Sequence, residues 1–276
     1  MPVDLATPVF IVGSPRSGTS MLAQLLLSAG YSGFREGNLF GLLHTLHAAI
    51  DQYFVWFGTD NAEVLMSRVD RDAIKREVAA IFRRTLEHEH PIPPWFDKSG
   101  NPDVIELIPE LLDLWPDARF IFAKRRAIEN VTSRMAKFPE HHFEYHVQDW
   151  ARNMRAWRQL RATLPDLACT EVDQQDMLRA PAAVAARIAA LIHLDPVREA
   201  EMVRLLQTER PQETGFGSSE RVLSLDDTGW SSPDIALFMQ HCHHELDAYG
   251  YSLDEHYWQA EPNGLTGLPD VQEQGK

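Results

Sequence analysis

The sequence predicts an α/β fold, a parallel sheet flanked by helices, with a helical insertion covering one end. Three observations point there. Short runs of buried-strand type, "VFIV", "RFIFA" and "ACTEV", are each followed by a helix-patterned stretch, and that alternation builds a parallel sheet. The first run leads into a glycine loop and then a helix, the opening half of a βαβ unit. The chain has 276 residues, 44% of them hydrophobic, enough for one large core.

The elements follow in order. Val9 to Val12 reads as a strand ended by Gly13, and "SMLAQLLLSAG" as a helix stopped by Gly30. "NLFGLLHTLHAAIDQYFVWF" is a largely apolar helix, and "DRDAIKREVAAIFRRTLEHEH" a long amphipathic one with Pro91 past its end. Together they make 38–92 the predicted insertion. "PIPPWFDKSG" turns into a short strand stopping at Asp97-Lys98. "DVIELIPELLDLW" is helical, with Pro109 as a kink or a restart. "RFIFA" is a second buried strand and "RAIENVTSRMAKF" its helix. Trp150 and Trp157, seven apart, share one face of the next helix and are read as core. "ACTEV" is a third parallel strand, "APAAVAARIAALIHL" its crossover helix, and "SPDIALFMQHCHHELDAYGY" a last helix with Ser231 or Ser232 at its N-cap. Residues 1–250 are expected to form a single domain, and 251–276, polar and acidic, a loosely ordered tail.

A net charge of −14 excludes a general binder of nucleic acid or anionic membranes, but not a local cationic pocket. Cys169 and Cys242 make no disulfide framework and stand in no metal-ligand spacing. The N-terminus lacks the basic start and apolar length of a signal peptide, and no run reaches a membrane span; a cytoplasmic location is expected.

The loop "GSPRSGTS", 13–20, lies between strand and helix, the context in which glycines mark a phosphate site and make the sheet P-loop-type. Backbone N–H groups of the loop and of the first helical turn lack intrahelical acceptors, and the helix dipole favours an anion there. Pro15, Arg16, Ser17, Gly18, Thr19 and Ser20 are the candidate contacts. A nucleoside triphosphatase needs Lys where Thr19 stands; here Arg16 supplies the positive charge. The "RFIFA" strand ends in Lys124, Arg125 and Arg126, where a metal-binding strand would end in Asp. Three cations there suit a second phosphate, since carboxyl ends of parallel strands converge on one crevice. The ligand is then a nucleotide with two separated phosphate groups and no metal, a description that 3′-phosphoadenosine 5′-phosphosulfate (PAPS) satisfies.

At these residues the chain resembles the PAPS-dependent sulfotransferases, in particular the branch with the tyrosylprotein sulfotransferases and bacterial relatives. "VFIVGSPRSGTSMLAQLL" is similar to the family's 5′-phosphosulfate loop, and "RFIFAKRRAIENVTSRM" to its 3′-phosphate motif, with Arg125 and Ser133 at the Arg and Ser positions. The resemblance implies that Glu36 in "FREGNLFGLL" is the catalytic base, and that Lys98 in "WFDKSG" sits near the bridging oxygen. With Arg16 these form the expected catalytic set. "CTEVDQQDML" resembles a later family stretch, with Asp173 and Gln174 where Arg and Tyr are usual. "GFGSSERVLSLDDTGW" lies where the family closes a loop over the nucleotide, which makes Ser218, Ser219 and Arg221 candidate contacts.

The reaction expected is metal-independent, in-line sulfuryl transfer to a hydroxyl or amine, leaving 3′-phosphoadenosine 5′-phosphate (PAP). Carbohydrate, lipid, peptide tyrosine and phenolic small molecules are all open as acceptors; Trp56 and Trp95 suggest a partly apolar pocket. The alternatives are a magnesium-dependent P-loop kinase or NTPase and a non-catalytic nucleotide-binding module. His44 and His47 on the second helix, and His141, His142 and His146, are read as structural or solvated ahead of functional roles. "HCHHE", 241–245, is read as a helix surface without a third metal ligand.

Overall fold

The structure, a computed structural model, describes residues 7–89, 94–209 and 222–259. Five parallel strands form one sheet in the order β2-β3-β1-β4-β5. They are β1 (Val9–Val12), β2 (Ser32–Gly33), β3 (Trp95–Ser99), β4 (Arg119–Lys124) and β5 (Cys169–Asp173). Val12 is level with Ser99 of β3 and with Phe122 of β4, so three strand ends open into one crevice.

Strand alternation divides the core. Phe10, Val12, Phe120 and Phe122 face one layer, Val9, Ile11, Ile121 and Ala123 the other. The second layer consists of α1 (Thr19–Ser28), α9 (Pro181–Ile192) and α10 (Pro196–Thr208). The first holds α4 (Pro102–Glu106), α5 (Ile108–Leu114), α6 (Ala127–Lys137), α7 (Phe143–Arg161) and α11 (Ser232–Ala248). Trp150 and Trp157 of α7 are fully buried in it, and Trp157 stacks on Phe122 at 4.7 Å between centroids.

Helices α2 (Leu39–Phe57) and α3 (Arg71–Glu89) lie on that same layer through Phe40, Leu43, Phe82 and Leu86. Trp95 opens β3 and is core, with its ring edge-on to Phe10; it is not part of a cover. Trp56, by contrast, is 68% exposed. Pro109 restarts the chain: α4 ends at Glu106 and Pro109 occupies the first turn of α5, where its missing N–H costs nothing. Ser231 is the N-cap of α11, its hydroxyl accepting from Asp234 N. Helices α8 (Gln174–Arg179) and α10 were not expected. The signal for α10 was present in Asp195, which accepts from two first-turn N–H groups, followed by Pro196.

The expectation of a loose tail from residue 251 is corrected over 251–259. Tyr251 and Tyr257 are buried, and Tyr251 pairs antiparallel with Trp258. Tyr257 donates to Asp173 at 2.9 Å, and Tyr251 to the other oxygen of the same carboxylate. Tyr251 and Tyr257 outweigh the charge of this acidic stretch once a buried carboxylate is there to accept their hydroxyl hydrogen bonds.

Candidate active site

The glycine loop leaves β1 at Gly13, which has φ +129°; a Cβ there would lie 2.2 Å from the Ala123 carbonyl oxygen of β4. Only glycine lets the loop pass so close to the neighbouring strand. Gly18, at φ +91°, is the N-cap of α1 and brings no side chain to cap it. Met21 N–H donates to the Gly18 carbonyl at 3.0 Å, and no side chain of Gly18 competes for the N–H groups of Thr19 and Ser20. Arg16 also has a positive φ, 73°, in the region non-glycine residues seldom occupy.

The loop is held from below by α6. Asn130 donates to the Pro15 carbonyl at 3.0 Å and to Ser17 Oγ at 2.9 Å. Arg134 donates to Ser14 Oγ at 3.1 Å and is ion-paired with Asp149 at 2.7 Å. Asn130 and Arg134 are almost wholly buried. Neither was singled out as a site residue. The signal available was helical spacing, since 130, 133 and 134 share one face of α6 and all three are polar.

On this support the two motifs meet. Arg16 Nε donates to Ser133 Oγ at 3.0 Å, and Arg125 Nη1 donates to the Arg16 carbonyl at 3.2 Å. Arg125 Nε is buried without a partner, and its own carbonyl accepts from Trp150 at 2.9 Å. Burial, and then the Arg125 charge, lower the Arg16 guanidinium below its ordinary value. Two guanidiniums and a hydroxyl crowded at one strand end are the electrostatic setting for a dianion. Arg16 was expected in the catalytic set with Glu36 and Lys98; its side chain reaches Ser133 of the second motif.

The expectation that all of Lys124, Arg125 and Arg126 serve a phosphate is corrected. Lys124 pairs with Glu171 at 2.6 Å on the layer of Phe122. Arg126 is fully buried; it pairs with Glu129 and donates to the carbonyls of Leu223, Ser252, Asp254 and His256. It fastens the C-terminal segment to the end of β4. Strand alternation and the turn into α6 leave Arg125 as the cation of the three at the loop.

At the other end of the crevice, β3 presents Lys98, buried, with Nζ 2.5 Å from Glu36 Oε1. Glu36 itself is 60% exposed. The β3 strand runs one residue past the expected stop, to Ser99, and Gly100 then passes against Pro15 of the loop. Asp97, buried beside Lys98, accepts from Ser99 Oγ at 2.8 Å; sequence reasoning passed over it. Ser218, Ser219 and Arg221 lie outside the described residues.

Among the remaining candidates, His44 contacts Asp103 and Glu106, and Arg152 already pairs with both carboxylates. His47 is buried, with its Nε2 3.2 Å from the Lys75 carbonyl. His146 lies behind Arg134 and is lowered to about 4 by burial, with the Arg134 and His141 charges adding. In "HCHHE" the buried Glu245 is taken by Arg158, at 2.9 Å.

The chain matches the sulfotransferase family over residues 8–199, a span that carries the loop, both motifs, Glu36 and Lys98. The chain belongs to the sulfotransferase family. Its reaction class is sulfuryl transfer, and the phosphoryl-transfer alternative is set aside. Solved structures share the fold. Sulfotransferase STF9 from Mycobacterium avium has a TM-score of 0.57 at 17% identity, covering 93% of this chain and 79% of that one. The sulfotransferase domain of the Synechococcus PCC 7002 olefin synthase has a TM-score of 0.54 at 16% identity, covering 90% of this chain and 96% of that one. Mouse sulfotransferase SULT7A1, solved with PAP, has a TM-score of 0.53 at 11% identity, covering 90% of this chain and 89% of that one. No curated protein matches the chain. No helix among the described residues is long and apolar enough to cross a membrane.

Proposed function

We propose that this sulfotransferase takes its sulfuryl group from PAPS and gives it to an acceptor hydroxyl or amine, without a metal ion in the step. The Arg16–Ser133–Arg125 cluster is the observation that carries the reading. It supplies two fixed cations and a hydroxyl one loop away from the α1 N-terminus. That spacing suits a nucleotide phosphorylated at both ends of its ribose, with the 5′ group on the α1 N–H groups, Thr19 and Ser20. Arg16 is accordingly assigned to the 3′-phosphate with Arg125 and Ser133, rather than to the departing phosphate.

The acid–base work falls to Glu36 and Lys98. The acceptor oxygen attacks sulfur in line, its proton passes to the Glu36 carboxylate, and the sulfur–oxygen bond to the phosphate breaks. Lys98 meets the charge growing on that phosphate oxygen, as electrostatic preorganisation requires. With no ligand bound the two side chains neutralise each other, and donor binding draws Lys98 away and frees Glu36.

A transfer assay with radiolabelled PAPS and a panel of carbohydrate, lipid, tyrosyl-peptide and phenolic acceptors, run in chelator, tests the reading. Label reaching an acceptor supports it. Transfer only from another donor, or only with added metal, overturns it.

A further inference from the structure

β3 ends in three consecutive polar residues, Asp97, Lys98 and Ser99, and all three are buried. Alternation sends Lys98 to one side of the strand, where it meets Glu36, and Asp97 with Ser99 to the other. The segment carrying Glu36 then crosses directly over Asp97. Gly37 N–H donates to the Lys98 carbonyl at 3.0 Å, and a Cβ on Gly37 would lie 1.7 Å from Asp97 Oδ1. No residue larger than glycine fits there, so the backbone next to the base rests on this carboxyl group.

Among the described residues, the charges acting on Asp97 are Glu36 and Lys98, and Ser99 is its hydroxyl donor. β1, β2 and α1, which pack against β3, carry no titratable side chain, and Asp97, level with Phe10, faces the layer of α2 and α4. On nearby α4, Asp103 and Glu106 are held by Arg152 and His44. A buried carboxyl group is costly unless it is paired and hydrogen-bonded, and Asp97 has the Lys98 charge and the Ser99 hydroxyl for this.

Resting on the roles given above to Glu36 and Lys98, we propose that Asp97 is a positioning residue of the acid–base corner. Its carboxylate seats the Glu36–Gly37 backbone and supplies a second negative charge that drives the acceptor's proton onto Glu36 when Lys98 turns to the leaving oxygen. Two like charges cannot both persist cheaply in one small site, so the departing proton relieves the pair. The coupling is visible from the Asp97 side: burial first, opposed by Ser99, and then the Glu36 charge raise Asp97 to about 6.

Asp97→Asn keeps the shape and an acceptor for Ser99 but removes the charge. Its kcat falls roughly tenfold, short of the 10²–10⁴-fold for losing a base outright. KM for the donor stays constant, and the acid limb of the pH–rate profile moves to lower pH. A merely structural Asp97 would lower kcat with the limb unmoved, and that result overturns the proposal. If the variant does not fold, ¹³C-carboxyl NMR of the unliganded wild type and of Glu36→Gln decides. Asp97 titrates near about 6 in the wild type and clearly lower in Glu36→Gln; identical titrations overturn the proposal. The NMR experiment uses no donor, so its failure is distinct from failure of the PAPS assignment.

Discussion

The two ends of the crevice are built differently. At the Arg125 end the loop is braced: Asn130 and Arg134 hold it from a buried helix face, and Trp150 fixes the Arg125 carbonyl. At the other end Glu36, the proposed base, is 60% exposed, and the helix that follows it shows Leu42, Tyr53, Val55, Trp56 and Phe57 to solvent. The difference teaches how the work is divided. On the proposed function, the donor end is preorganised for one compact dianion, and the acceptor end carries its chemistry on a single buried strand, β3, beneath an open surface.

The sharpest break in that comparison is Glu36→Gln. It loses about 10²–10⁴-fold in kcat while PAP affinity holds, because the base contributes nothing to the braced end. A fall in PAP affinity of the same size would join the two ends into one unit. Arg125→Ala does the reverse. Removing a charge-assisted hydrogen-bond donor costs about 1.5–3 kcal/mol, roughly 10- to 100-fold in PAP affinity, with adenosine 5′-phosphate little affected. Equal losses for both nucleotides would take Arg125 away from the 3′-phosphate.

The braced end also has a pH signature through Asp173, which ties β5 to Tyr251 and Tyr257. Burial raises this carboxyl from 3.8 to about 6, against the Tyr251 hydrogen bond. Between those values the folded protein holds a proton that the unfolded chain has released, so stability is greatest below the window and falls as pH rises through it. The loss is on the order of 1–3 kcal/mol, seen as a falling Tm, and Asp173→Asn flattens it. A Tm that rises through that range contradicts the assignment. The smallest effect belongs to the open end: Trp56→Ser on α2 changes stability by about 0.5 kcal/mol or less and leaves PAP binding alone, as for other exposed positions. A larger loss of stability would mean that α2 is braced as well.

Which parts were readable follows the same division. The loop, Arg125 and Ser133 were legible because strand, glycine loop and helix are local patterns whose chemistry is written within eight or nine residues. Asn130, Arg134 and Asp97 were not. A buried polar residue differs from an exposed one only in what lies opposite, and their partners, Ser17, Ser14 and Gly37, are far away in sequence. Lys124, Arg125 and Arg126 look alike in sequence, yet strand alternation and the turn into α6 send them to Glu171, to the loop and to the C-terminal carbonyls. The stretch after Tyr251 was misread because its acids were weighed ahead of Tyr251 and Tyr257, whose buried hydroxyls donate to a carboxylate on β5.

Titration calorimetry of the pure protein with PAP and with adenosine 5′-phosphate, both in chelator, tests the central claim most directly. If two guanidiniums and Ser133 grip a 3′-phosphate, PAP binds one to one and at least tenfold tighter than the singly phosphorylated nucleotide. No heat with PAP, or equal affinity for the two, contradicts it.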